Sequence, residues 1–129
     1  MRILLADDRP RVRAALRLLL EQEPDMVIVG EAADAAGLRL ALQRETPDLL
    51  LLDWELPGLP LAQRISFIRN GQPRLRILAL SGRPEARAEA LSNGADCFAS
   101  KGDPPELVLA AVHTCAQMEL PGSIIGDNA

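Results

Sequence analysis

Asp7-Asp8, Asp53, Ser81 and Lys101 each close an apolar run, namely Ile3 to Leu5, Leu49 to Leu52, Ile77 to Leu80 and Cys97 to Ala99. Three carboxylates, a hydroxyl and an amine are the parts that metal-assisted phosphoryl transfer requires. Neighbouring carboxylates repel, and each resists ionisation unless positive charge sits among them. A hard divalent cation answers that need: Mg2+ takes oxygen ligands, keeps several waters, and is typically held by one or two carboxylates. Asp8, Asp53 and a nearby backbone carbonyl would be enough. Asp53, alone at the end of its run, can then act as nucleophile and form an acyl phosphate. Lys101 and Ser81 are of the types that neutralise and bind the oxygens of a transferring phosphoryl group. Thirteen of the 14 basic residues are Arg, so Lys101 is the one lysine, a compact point charge where the chain elsewhere uses guanidinium.

For these residues to meet, the apolar runs must be parallel strands whose carboxyl ends share one sheet edge. The first strand is read as Arg2 to Ala6, and Pro10 falls where a first-turn proline is tolerated. In the helix that follows, Val12, Ala15, Leu16, Leu19 and Leu20 have the spacing of one buried face, and Pro24-Asp25 ends it. Met26 to Val29 is a short second strand. Asp34 is an N-cap candidate for a helix through about Arg44, with Leu38, Ala41 and Leu42 facing inward. Leu49 to Leu52 shows no alternation, as suits a central strand buried on both faces. Pro57, Gly58 and Pro60 form a loop before a third helix carrying Leu61, Ile65 and Ile68, closed by Asn70-Gly71.

Arg76 to Leu80 is the fourth strand. Pro84 opens a fourth helix with a weak apolar face of Ala86, Ala90 and Leu91, ended by Asn93-Gly94 and expected to be the most loosely held element. Asp96 to Ser100 is the fifth strand. Pro104 begins a last helix with a stripe of Leu107, Val108, Ala111, Val112, Cys115 and Met118. Five strands alternating with five helices imply an α/β, doubly wound parallel sheet covered on both faces by right-handed crossovers. Its site lies beyond the carboxyl ends of the strands, near the reversal of strand order.

With 129 residues, of which 48% are apolar, the chain matches one domain with one continuous core. A net charge of −4 with scattered basic residues argues against a dedicated nucleic-acid surface. No apolar stretch approaches a membrane span, and two acids follow MRILLA before a signal-peptide apolar region could form, so a cytoplasmic location is expected. Cys97 and Cys115 fit neither a disulfide framework nor a metal-ligand spacing and are read as buried or half-buried hydrophobes.

The segments ILLADD, LLLLDWELPG, ILALSG and GADCFASK, in this order, resemble the receiver (CheY-like) domain of bacterial two-component response regulators over about residues 1 to 118. The resemblance implies a flavodoxin-like sheet of order 2-1-3-4-5, with residues 119 to 129 a tail or the start of a linker. It implies that Asp53 is the phosphoacceptor and that Asp8, Asp53, the backbone carbonyl of Glu55 and, through water, Asp7 hold Mg2+. Ser81 and Lys101 match the hydroxyl and lysine that bind the phosphoryl group, and Phe98 the switch aromatic that moves with Ser81. Glu55 and Arg83 match the positions that tune phosphoryl lifetime. Implied partners are a sensor histidine kinase and an output domain or downstream protein on the face of the fourth helix, fifth strand and fifth helix, with a homodimer on phosphorylation. GADCFASKGD and ILLADDRPRVR look closest to the branch that usually carries a C-terminal helix-turn-helix. The chain departs from the family at Gly102, where proline follows the lysine, and at Pro60-Leu61, where Asp-Gly is usual.

Singly, each residue has an ordinary reading: Asp7-Asp8 as cap and solvated acid, Asp53 as loop acid, Ser81 as turn residue, Lys101 as surface charge. Their joint placement at four strand ends does not. Phe98 is read as either switch or plain core, Trp54 as a partly exposed neighbour, His113 as exposed, and Glu85, Arg87 and Glu89 as a solvated face. The leading reading is a phosphoacceptor switch that catalyses only its own phosphorylation and dephosphorylation. The alternative is a pseudo-receiver, a phosphorylation-independent interaction module. A magnesium phosphohydrolase would want a cap domain or a second acidic loop, and a nucleotide-binding domain a glycine phosphate loop in place of Asp8-Arg9-Pro10, so both readings rank lower.

Overall fold

The computed structural model of the protein describes residues 1–59 and 64–118. The apolar runs form β1 (Arg2–Ala6), β2 (Val27–Ala32), β3 (Leu49–Asp53), β4 (Arg76–Ser81) and β5 (Cys97–Ser100). All pair in parallel, in the order β2-β1-β3-β4-β5. Between and after them lie α1 (Pro10–Glu21), α2 (Ala35–Arg44), α3 (Arg64–Arg69), α4 (Ala86–Ser92) and α5 (Pro105–Ala116). The expected position of Leu61 and the Pro60-Leu61 departure fall outside the described residues.

β3 runs between β1 and β4, and all five of its residues are buried, which is why its leucines need no alternation. Successive β3 side chains feed two apolar layers. Leu50 and Leu52 pack with Leu38 of α2, Ile65 and Ile68 of α3, and Ala86 and Ala90 of α4. Leu49 and Leu51 pack with Leu20 of α1 and Val108, Val112 and Cys115 of α5. Full burial of each leucine contributes about 1.5–3 kcal/mol.

Several helix faces differ from their expected composition. On α1 only Leu20 is fully buried, Ala15 is exposed, and Leu18 stands 66% exposed. Leu107 and Met118, expected in the last helical stripe, are exposed, because α5 turns Val108, Val112 and Cys115 toward the sheet. Leu91 is likewise at the surface, so α4 is held by two buried alanines. β2 begins at the exposed Val27 and continues to Ala32, past the expected Val29.

Helix ends follow local rules. The Asp34 carboxylate accepts the Gly37 N–H at 2.8 Å and caps α2. At the end of α4, Gly94 adopts φ +106°, allowing Ala95 N–H to reach Ala90 O and Gly94 N–H to reach Leu91 O. Among the described residues no peptide bond is cis, and this includes the Lys101-Gly102 bond.

Register is what brings the chemical residues together. Ala6 pairs with Leu52, so Asp7 emerges beside Asp53. Asp53 in turn pairs with Leu80, and Ser81 pairs with Ser100, one residue before Lys101.

Candidate functional site

At the carboxyl edge Asp7, Asp53 and Ser81 are buried, whereas Asp8 is exposed. Carboxylate oxygens of Asp7, Asp8 and Asp53 lie within 4.8 Å of one another. The Lys101 ammonium bridges the two buried acids, 2.6 Å from Asp7 Oδ2 and 3.3 Å from Asp53 Oδ1. Lys101 is positioned by its backbone, whose N–H donates to Ser81 O at 2.9 Å. With Arg9, Glu55, Gly82 and Arg83, residues Asp8, Asp53 and Lys101 line a cleft of about 340 Å³.

The acids are fixed from the loops as well as from the strands. Asp7 donates its N–H to Ala32 O, and its Oδ1 accepts the Arg9 N–H at 2.9 Å. The Arg13 guanidinium donates to the Asp7 carbonyl. Asp53 Oδ1 accepts the Glu55 N–H at 3.0 Å, and the Leu56 N–H returns to Asp53 O. Burial pushes the Asp53 pKa above its ordinary value; the Glu55 N–H and Lys101 oppose that shift, and Asp7 adds to it. Burial works against the Lys101 charge, but Asp7 and Asp53 more than offset it and leave its pKa raised.

The acidic trio fits a hard cation. Its donors are all oxygen, and Asp7 Oδ2 meets the Lys101 ammonium at 2.6 Å from one side. Such an oxygen retains lone pairs for a metal or for one of its waters.

Ser81 is fully buried, and its hydroxyl donates to the Glu55 carboxylate, at 3.0 Å from Oε1 and 3.1 Å from Oε2. Arg83 closes over Glu55 at 2.9 Å. Phe98 is buried in the layer beneath α3 and α4. The structure therefore gathers Asp7, Asp8, Asp53, Glu55, Ser81, Arg83 and Lys101 at one edge, with Phe98 in the core below.

Trp54 is not partly exposed. It is fully buried, and its indole N–H donates to Glu89 of α4 at 2.6 Å, so Glu89 is not part of a merely solvated face. A buried indole needs an acceptor, and Glu89 shares the α4 face of Ala86 and Ala90; that pattern was available in the sequence. Arg9 and Arg13, which hold Asp7, gave no comparable signal among so many arginines. His113 is half-exposed and meets Glu23 at 2.9 Å. The Cys97 thiol meets Met118 Sδ at 3.3 Å, and burial raises the pKa of both Cys97 and Cys115.

A parallel sheet of this order with these residues at its carboxyl edge defines a receiver fold. The family model for the response regulator receiver domain matches residues 3–113, and the chain belongs to that family. It is 35% identical over 121 residues to the nitrate/nitrite response regulator protein NarL of Escherichia coli, covering 92% of this chain and 56% of that protein. A protein-glutamate methylesterase/protein-glutamine glutaminase of Rhizobium etli is 32% identical over 96% of this chain and 39% of its own length. The chain thus spans about half, or less, of the length of these curated relatives. Among solved structures, the signal receiver domain of the putative response regulator NarL from Mycobacterium tuberculosis superposes with TM-score 0.77 at 33% identity, over 89% of this chain and 94% of that one. A LuxR-family two-component response regulator from Aurantimonas gives TM-score 0.81 at 31% identity, over 95% and 89%.

Proposed function

We propose that the chain is the phosphoacceptor switch of a two-component system, taking a phosphoryl group on Asp53 from a sensor histidine kinase with Mg2+. The observation that carries this reading is the Lys101 ammonium lying between Asp7 and Asp53 at the sheet's carboxyl edge. A carboxylate oxygen of Asp53 attacks phosphorus, the bond from phosphorus to the kinase histidine nitrogen breaks, and that nitrogen keeps the electron pair. Lys101 leaves its contact with Asp53 to pair with a phosphoryl oxygen, and the Ser81 hydroxyl donates to another. Mg2+, when bound, supplies the remaining positive charge; Asp8, Asp53, the Glu55 carbonyl and, through water, Asp7 would hold it.

The Ser81 donation draws β4 toward the site, and Phe98 turns with it, so the face of α4, β5 and α5 changes. With two alanines buried, α4 is a suitable mover. That face is read by an output domain, a downstream protein or a second copy of the chain. Contact with DNA, where it occurs, belongs to an output domain and not to the receiver itself. Glu55 and Arg83 set how fast water removes the phosphoryl group, and the chain turns over no other substrate. A cytoplasmic location fits such a partner set; among the described residues no helix is long and apolar enough to cross a membrane.

Trp54, the only tryptophan, reports on the neighbouring Asp53. Titration with Mg2+ and then with beryllofluoride should change its fluorescence in two saturable steps, both weakened in Asp53→Asn. A folded protein silent to both would make the pseudo-receiver the better reading.

A further inference from the structure

A hydroxyl has one proton to donate. That of Ser81 goes to Glu55, whose two carboxylate oxygens lie 3.0 and 3.1 Å from Oγ. A lone pair of the same Oγ accepts the Arg83 N–H at 3.0 Å. Glu55 is held from its other side by the Arg83 guanidinium, 2.9 Å from Oε2. Its own N–H is committed to Asp53 Oδ1. An anionic acceptor therefore already occupies the fully buried hydroxyl that a phosphoryl group on Asp53 would use.

We propose that the Glu55 carboxylate is an internal latch, a positioning residue that holds the Ser81 hydroxyl at rest and competes with the phosphoryl group for it, with Arg83 as its clasp. This rests on the phosphoacceptor reading of Asp53. Both competitors are anionic and need the same proton, so phosphorylation must expel Glu55 from Ser81 before Ser81 can turn to Asp53. Arg83, 3.9 Å from both Glu85 and Glu89, then has its remaining carboxylate partners on or beside α4. Glu89 also accepts the Trp54 indole, so release of the latch bears on the element expected to move.

The latch makes a prediction that general charge repulsion does not. Beryllofluoride affinity, measured by Trp54 fluorescence at saturating Mg2+, is compared in the parent, Glu55→Ala, Ser81→Ala and the double variant. Freeing one charge-assisted hydrogen bond should tighten binding about tenfold in Glu55→Ala, and that gain should vanish when Ser81 is already absent. Glu55→Gln, which keeps an uncharged acceptor and the side chain's bulk, should fall between parent and Glu55→Ala, and serves the same comparison where Glu55→Ala does not fold. Equal tightening with and without Ser81 would mean that Glu55 acts by charge alone and would overturn the latch. Unchanged or weaker binding in Glu55→Ala and Glu55→Gln would overturn it as well. A parent that binds no beryllofluoride would instead remove the phosphoacceptor reading, and the latch with it.

Discussion

Replacing Lys101 with Met removes the one ammonium shared by two buried carboxylates. It lies 2.6 Å from Asp7 and 3.3 Å from Asp53. At an effective dielectric near 20, unit charges about 4 Å apart interact by about 4 kcal/mol, and breaking a buried pair typically costs about 3–5 kcal/mol. The Lys101 side chain is 18% exposed, and solvent screening brings the expected loss to the lower end, about 3 kcal/mol at pH 7. In urea unfolding, with a slope of about 1–3 kcal/mol per molar, the midpoint should fall by about 1–3 M. The sign of the pH effect follows from the acids left behind. Asp53 already has a raised pKa, and without the ammonium it rises further. The folded variant then binds protons that the unfolded chain does not, so it regains stability as pH falls and loses it as pH rises through the folded pKa. The gap between parent and variant should therefore narrow from pH 7 toward pH 4. Lys101→Arg keeps the charge and should recover most of the stability, while the fork of a guanidinium should not recover phosphoryl transfer. An unchanged midpoint at pH 7, or a gap that widens on acidification, would refute the reasoning.

Other consequences concern the elements around the site. Glu89→Ala removes the carboxylate that accepts from the fully buried Trp54 indole and should cost about 1–3 kcal/mol in thermal or urea unfolding, with a shift in Trp54 emission; Glu89→Gln should recover part of it. Gly94→Ala places a side chain at φ +106° and 3.2 Å from Ile65, and should lower stability by about 1–2 kcal/mol, read as a reduced melting temperature. Burial alone would raise the Glu31 pKa, but hydrogen bonds from Arg17 and Arg13 leave it depressed. Its contribution is present above its unfolded pKa and lost as pH falls through the folded one, so Glu31→Gln should flatten the acid limb of a stability profile while slightly lowering the neutral plateau.

The strands were legible because a central parallel strand must be apolar throughout, as in Leu49 to Leu52, and because β1, β3, β4 and β5 each run into a polar residue. Strand ends then brought Asp7, Asp53, Ser81 and Lys101 together, since parallel pairing puts those ends on one edge. Helix positions were legible from Asp34, Pro10 and Asn93-Gly94, whose local chemistry sets boundaries. Which helical residues are buried was less so, as Ala15, Leu107 and Met118 illustrate. Helical spacing fixes a stripe only to within a residue, and the tilt of the helix on the sheet chooses between neighbours such as Leu107 and Val108. Polar pairings across elements left the weakest trace. The Trp54–Glu89 bond joins residues 35 apart, and the hold of Glu55 on Ser81 joins residues 26 apart. Both depend on how the loop after β3 faces α4 and the end of β4.

The claim that Asp53 is the phosphoacceptor is tested most directly by intact-mass analysis after incubation with Mg2+ and a small phosphodonor such as acetyl phosphate. A single phosphoryl group should be gained, be removed by hydroxylamine as an acyl phosphate is, and be absent from folded Asp53→Asn. Equal labelling of that variant, or no labelling of the folded, Mg2+-binding parent, would contradict the account.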